Sequence, residues 1–489
     1  MLVFLWTDAL LYLLLVAIAV FIGFATRSRP LRDPWLRVLQ SRMGMASLVV
    51  LLAYASVGIL DSVHFRPSVD SQSDEQRYGS QVVSLLDSIA KPLIVQTEET
   101  YSAPFAKHAY VQRVVTRADG SKAQVYPRLE FGGAHLAGDD DAKAWDIFTK
   151  SLVGAGWGLL AWLAVAALLI AVISVGTGGS YKQVAGHIRR DNTRLRWRAG
   201  LITLAVIFLV CGGFLELAGH YHVFGTDKVG QDVFLESIKS IRTGLLIGTL
   251  TTLIMLPFAL VLGIMAGYFK GWVDDAIQYL YTTLSSIPGV LLIVAAILML
   301  QVYMENNPGL YETTAERADL RLLFLCLILG VTSWTGLCRL LRAETLKLGE
   351  MEYVQAARGL GVGSIRIMAR HILPNVMHIV LIQIVLDFSA LVLAEAVLSY
   401  IGVGVDPSMD SWGNMINGAR LEMARDPIVW WPLAAAFIFM LGLVLAANLF
   451  ADVVRDAFDP RLRKGSSADD PEQQSQEDQL AQPPAGGAR

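Results

Sequence analysis

The chain reads as an all-α polytopic membrane protein with about nine transmembrane helices and a small α+β domain inserted after the second span. Three observations predict this. Its 489 residues are 54% hydrophobic and only 17% charged, with a mean hydropathy of +0.49, a combination that soluble domains rarely reach. Apolar runs recur near 3–25, 43–60, 152–175, 199–218, 240–267, 273–303, 320–341, 377–400 and 429–454, each near or above the roughly 20 residues that a helix needs to cross a bilayer. Basic residues concentrate in alternate loops.

The first run reads as a span and is not a convincing signal peptide: it lacks a basic start, carries Asp8 and is followed by no clear small-residue cleavage site. The loop after it holds Arg27, Arg29, Arg32, Arg37 and Arg42 against Asp33. The loop 177–198 holds Lys182, Arg189, Arg190, Arg194, Arg196 and Arg198 against Asp191. Segment 339–371 adds Arg339, Arg342, Lys347, Arg358, Arg366 and Arg370. The positive-inside rule places these three in the cytoplasm. Segments 304–321 and 402–428 are acid-rich, the first with Glu305, Glu312, Glu316 and Asp319, and belong outside. Alternation then predicts the N-terminus outside and the C-terminus inside. The turn at 268–272 gives the poorest signal, because Lys270 is offset by Asp274 and Asp275.

Residues 61–151 form the expected extracytoplasmic insert. Asp74 to Ala90 reads as a helix. Ala109–Arg117 and Lys122–Tyr126 alternate around Asp119-Gly120, a hairpin signal. The insert's role is left open, and a spacer or packing element fits it. From Gly465 to Arg489 the chain is Ser, Asp, Gln, Pro and Gly with little apolar content, as in a disordered tail. Cys211, Cys326 and Cys338 lie in or beside apolar runs without metal-ligand spacing, so they read as small buried hydrophobes. No basic patch interleaved with aromatics suggests nucleic acid. No G-x-x-x-x-G-K-[ST], HExxH or nucleophile elbow suggests catalysis, a metal or a cofactor.

The most informative stretch is Glu352-Tyr-Val-Gln-Ala-Ala-Arg-Gly-Leu-Gly361, with His371-Ile-Leu-Pro-Asn375 beyond it. Tyr353, Ala356, Ala357 and Leu360 recur at helical spacing, giving a small apolar face. Gly359, Gly361 and Gly363 permit a tight turn. Ile365, Met368 and Ile372 form a second stripe, and Pro374 is expected to stop it. On these residues alone, a docking loop and an amphipathic loop lying on the membrane fit equally.

This segment resembles the EAA loop of the membrane subunits of ABC importers: Ala356-Ala357, then Gly361, then Leu373-Pro374. The ending His371 to Asn375 is similar to the dipeptide/oligopeptide/nickel class. Gln355 stands where the motif has glutamate. His222-Val-Phe-Gly-Thr-Asp-Lys-Val-Gly-Gln-Asp-Val233 resembles that family's HxxGTDxxGRD segment, with Gln231 replacing arginine. Leu393 to Gly404 followed by Ser411-Trp412-Gly413 resembles its AEAxLSFLGLG…WG stretch, and Asp456–Arg463 its C-terminal end. These ordered matches span about 200 to 463.

The resemblance implies a bacterial inner-membrane permease with a six-span core, not itself an ATPase, importing peptides or related small solutes. It implies a homologous second permease, two ATP-binding subunits and a solute-binding protein as partners within the lipid bilayer. Domain boundaries then follow: spans in 1–60, the insert at 61–151, a span and basic loop in 152–198, the permease core at 199–463 with its coupling loop at 350–375, and the tail at 464–489. Glu352, Gln355, Ala356, Ala357, Gly359, Gly361, His371, Leu373, Pro374 and Asn375 would couple to the ATPase. Gly225, Thr226, Asp227, Gly230, Asp232, Trp412 and Gly413 would form an outer gate or binding-protein contact, with plain helix capping an equal reading for the first five. Asp387 and Glu395, eight residues apart in one span, are expected to share an inward face, as translocation-path groups or interhelical hydrogen bonds; Asn448 and Asp452 are read likewise. The rival reading is an ion-coupled secondary transporter using these carboxylates.

Overall fold

The computed structural model describes residues 2–458 except 28, 67, 70–76, 79–81, 117–121, 137–140 and 312. The tail 464–489, the Asp119-Gly120 turn and the end of the Asp456–Arg463 match lie outside the described residues.

Hydrophobic length dictates the helices. Strand β1 (Leu2–Val3) leads into α1 (Trp6–Arg27). The following basic segment, expected to be a loop, contains helix α2 (Arg29–Gln40). Its Trp35 and Val38 turn inward while Arg32 and Arg37 stay exposed, the pattern of a helix lying at a membrane interface. Helix α3 (Arg42–Asp61) starts at Ser41, whose hydroxyl accepts from the Gly44 amide at 3.4 Å, an ordinary N-cap.

The insert is built from very short pieces: β2 (His64–Phe65), β3 (Ser68–Val69), β4 (Arg77–Tyr78), β5 (Val83–Ser84), α4 (Leu85–Ile89), α5 (Lys91–Val95), β6 (Arg113–Thr116) and β7 (Lys122–Val125). Of the helix expected over 74–90, residues 74–76 and 79–81 lie outside the described residues, and the rest is helical only in α4, because Arg77–Tyr78 and Val83–Ser84 pair as strands instead. β2 sits between β1 and β5 in an antiparallel sheet, with Leu2 opposite Phe65 and His64 opposite Ser84. The start of the chain is thereby stitched into the insert. β6 and β7 form the expected hairpin, Arg113 opposite Val125.

Helix α6 (Asp141–Thr177) begins well before the expected 152. It is followed by α7 (Tyr181–Arg189) and α8 (Trp197–Ala218). Helices α6 and α8 pack through glycines: a Cβ at Gly154 would meet the Gly212 carbonyl oxygen at 2.4 Å, so small residues set the approach. This pair lies at the periphery and exposes Trp157, Leu160 and Leu163. Cys211 is exposed there, whereas Cys326 and Cys338 are buried; the expectation of burial fails for Cys211 because α8 turns that side outward.

The rest of the chain supplies α9 (Val233–Phe269), α10 (Gly271–Ser286), α11 (Gly289–Asn306), α12 (Thr314–Gly349), α13 (Glu352–Gly359), α14 (Ser364–Ile367), α15 (Leu373–Tyr400), α16 (Trp412–Glu422) and α17 (Trp431–Phe458). The expected span 273–303 is two helices, broken at Ile287-Pro288, because proline cannot donate a helical hydrogen bond and biases its predecessor toward extended backbone; Ile287 is indeed extended, with ψ 130°. Nine helices among the described residues are long and apolar enough to cross a membrane. Helix α9 is central, packing on α12, α15, α17 and α3. Gly263 and Gly267 let α12 close on it: a Cβ at Gly263 would lie 2.9 Å from the Cys338 carbonyl oxygen.

Candidate functional site

The segment 350–375 is an elbow between two long helices. Met351 and Gly363 are extended caps of α13 and α14. Between them Gly361 has φ +76°, the left-handed region that favours glycine. Gly359 and Gly363 do not need that freedom. Pro374 does not stop a helix, contrary to expectation. It sits in the first turn of α15, where its missing N–H costs nothing, and a π-helical turn over Met368–Ile372 leads into it. That widened turn re-aims the chain without ending it.

The burial pattern also differs from the expected stripes. Val354, Ile367 and Ile372 are fully buried, inside one cluster with Ala266 and Tyr268 of α9, Leu341 of α12 and Val376 of α15. Leu360 and Ile365 are 85% and 79% exposed. Ala356 is exposed too and Ala357 only partly buried. The elbow is therefore keyed by three apolar side chains into three spans, and it offers its remaining apolar groups outward.

Polar contacts brace it. Lys270 donates to Glu350 at 2.6 Å, which holds that carboxyl below its usual range. Arg342 forms a fork with Asp274, at 2.5 and 2.7 Å, the bidentate geometry that suits guanidinium. Arg358 lies 5.0 Å over the Tyr268 ring. Asn375 donates to the Tyr353 hydroxyl at 3.2 Å and to the His371 carbonyl at 2.6 Å, while the Tyr353 and His371 rings lie 6.3 Å apart. Gln355 donates to the Glu350 carbonyl and carboxylate at 3.3 Å. Glu352 is exposed in the first turn of α13. Nothing here is arranged for covalent chemistry; the elbow can bind a surface and pass force to α9, α12 and α15.

At the other end, residues 222–233 are clamped under the insert. Gly225 and Gly230 have φ +70° and +79°. A Cβ on Gly230 would sit 1.7 Å from the Glu98 carbonyl oxygen, and one on Gly225 2.3 Å from that of Ser102. The Glu98 amide donates to the Gly230 carbonyl at 3.0 Å, and the Thr226 amide to that of Ser102 at 3.1 Å. Asp232 caps α9 through the Phe234 amide at 2.8 Å, and Asp227 accepts from the amides of Val229 and Gln231. His222 joins Asp232 at 2.8 Å and Glu98 at 3.4 Å, all three buried. The Glu98 carboxylate also accepts from the amides of Glu130, Phe131 and Gly132. These partners hold Glu98 down at about 2 and raise His222 to about 9. Thr226 and Asp232 are buried inside this chain, so their side chains fasten the insert.

Residues 259–464 match the family described as binding-protein-dependent transport system inner membrane component. The glutathione transport system permease protein GsiD of Pectobacterium atrosepticum is 30% identical over 243 residues, 50% of this chain and 73% of that protein. The oligopeptide transport system permease protein OppC of Mycobacterium tuberculosis is 32% identical over 249 residues, 51% and 79% of the two chains. The dipeptide transport system permease protein DppC of Bacillus subtilis is 31% identical over 243 residues, 50% and 70%. The chain belongs to this family of importer permeases.

The permease is thus a multi-pass inner-membrane subunit, and ATP hydrolysis lies in partner subunits. Importers of this family work with ATPase and solute-binding partners. No cluster among the described residues could hold a metal ion. Trp412 is buried and donates to the Ser237 carbonyl at 3.1 Å; a Cβ on Gly413 would meet the Ser399 Cβ at 2.5 Å. Both therefore lock α16 onto α9 and α15. Glu395 is buried and accepts from the Ser399 hydroxyl at 2.6 Å. Asp387 is half-buried and accepts from Gln383 at 2.7 Å; the two carboxylates are not brought together. Asn448 and Asp452 are exposed.

Sequence reasoning missed the densest charge cluster. Arg242 of α9 is buried and pairs with Asp8 of α1 at 2.7 Å and Ser62 at 3.2 Å. Asp8 also meets His64 at 2.8 Å, and Asp319 of α12 accepts from the Thr7 amide at 3.2 Å and from its hydroxyl. Asp8 stood out in the sequence only as a poor fit to a leader. The usable signal was its opposite charge to Arg242 within apolar runs, since intramembrane charges pair.

Proposed function

We propose that this permease forms half of the translocation pathway for short peptides. The named relatives, which handle glutathione, oligopeptides and dipeptides, support that substrate class. In this reading the N-terminus and insert face outward, a homologous second permease lies alongside, two ATPases sit below and a peptide-loaded binding protein docks above. The observation that carries the proposal is the elbow, with Leu360 and Ile365 exposed at its tip and Val354, Ile367 and Ile372 buried at its root. ATP-driven closure of the motor would push that tip. The root would then tilt α9, α12 and α15 together, shifting the protein between two packed states.

Cysteines at Gln355, Gly359 and Ser364 test the contact. At least one should crosslink to a co-purified ATPase in the intact complex; no crosslink at any of the three would sink the coupling role. Uptake that persists in a collapsed ion gradient and stops without ATP separates this mechanism from ion-coupled transport.

A further inference from the structure

Four charged residues recur from the N-cap of α9 along one of its faces: Asp232, Glu236, Lys239 and Arg242. Their spacing of four, three and three residues makes a stripe. Three are neutralised. Asp232 holds His222 at 2.8 Å, Lys239 lies 3.0 Å from Asp410 and 3.3 Å from Asp87, and Arg242 holds Asp8 at 2.7 Å. Glu236 is the exception. It is half-buried, yet its carboxylate makes no hydrogen bond or salt bridge among the described residues.

Glu236 opens onto a groove of about 970 Å³ between the insert and the start of α9. Phe65, Leu93, Ile94 and Leu235 give the groove an apolar wall, and Lys91 lies on its rim, also without a salt bridge among the described residues. The volume falls at the upper end of the range, roughly 300–1,000 Å³, that small-molecule sites occupy. Its cationic neighbour Lys239, which also lines the groove, is held by Asp87 and Asp410, so the half-buried Glu236 carboxylate has lost hydration without a direct ion pair, and an incoming cation would restore it. The insert closes one side of the groove through Phe65, Val83, Leu93 and Ile94, so the site exists only because these residues fold against the core.

We infer that this groove is a receiving site for a short zwitterionic peptide, whose N-terminal ammonium pairs with Glu236 and whose C-terminal carboxylate is met by Lys91. The inference rests on the importer reading and names where on this chain the substrate first binds. The intervening apolar wall contacts backbone and side chains of any sequence, which gives recognition by the two termini and by length.

The test uses the assembled transporter in nanodiscs, without its binding protein, titrated calorimetrically with trialanine and with N-acetyl-trialanine. Wild type should bind trialanine about tenfold more tightly than the Glu236→Gln variant does, the loss expected for one charge-assisted contact. N-acetyl-trialanine should bind wild type and Glu236→Gln equally weakly. Lys91→Met should weaken trialanine but not trialanine amide, and Leu235→Trp should abolish binding by filling the groove. The proposal is overturned if trialanine does not bind wild type, or if Glu236→Gln weakens neither or both ligands alike. Uptake by the complete system separates the two readings: import of trialanine with groove-insensitive binding removes the groove and keeps the peptide permease. Groove-dependent binding without import of any peptide keeps the groove and removes the peptide assignment.

Discussion

His222 shows how one residue can set the strength of a tertiary clamp. Its imidazolium lies between Asp232 and Glu98 with all three side chains buried. The ordinary value of 6.5 is raised to about 9, so the stabilisation is complete below about pH 6.5 and is lost as pH rises through 9. Glu98 moves the other way, from 4.5 to about 2, so its contribution is complete above about 4.5 and lost as pH falls through 2. The clamp should therefore be strongest between about pH 4.5 and 6.5. Limited proteolysis of the insert should be slowest in that window and accelerate steadily toward pH 9. His222→Gln should remove the alkaline dependence and leave a uniformly faster rate. Gly230→Ala offers a second test. Its φ of +79° and the Glu98 carbonyl oxygen in the Cβ position should together cost more than about 2 kcal/mol. Thermal unfolding of the purified permease would measure the cost, and an unchanged midpoint would show that the insert does not press on this loop.

At the scale of elements, the elbow separates a gripping face from an offered one. Replacing Ile372 by Ala should destabilise the permease by roughly 2–5 kcal/mol, because a fully buried side chain leaves a cavity. Leu360→Glu changes a residue that is 85% exposed, so the amount of folded permease in the membrane should stay unchanged. ATP-driven uptake should nevertheless fall at least tenfold if the tip docks into the motor. Normal uptake in that variant would show that the tip is idle. Helix periodicity made the two short helices of the elbow legible, but it assigned their faces poorly. Of the expected stripe, Tyr353, Ala356 and Leu360 face outward and Ala357 is only partly buried, while Val354, which broke that pattern, is an anchor. Alternation of apolar residues cannot tell a core from a docking surface, since both exclude water.

For the whole molecule, the N-terminal region is part of the core and not an appendage. Asp8 of α1 is the principal counterion of Arg242, and Ser62 at the end of α3 adds a hydrogen bond. Breaking a buried pair costs about 3–5 kcal/mol because it strands the remaining charge. Asp8→Ala should lower the thermal stability of the detergent-solubilised permease sharply. The double variant Asp8→Leu/Arg242→Met should recover most of the loss, since an apolar pair leaves nothing uncompensated. Equal damage from the single and double variants would show that packing, not charge, governs this junction.

Composition and run length sufficed for the number of spans, because crossing a bilayer demands long uninterrupted apolar helices whatever surrounds them. Local spacing likewise made the elbow and the glycine-rich segment at 222–233 recognisable, since tight turns require particular residues. Other features were decided only by tertiary structure: which face of the elbow is buried, that Thr226 and Asp232 fasten the insert, that Asp8 neutralises Arg242 from 234 positions away, and that Glu236 alone of its stripe has no ion pair among the described residues. Each depends on which distant segment arrives opposite a given side chain. Electrostatic pairing and burial act through space, and a linear pattern carries no record of that arrival.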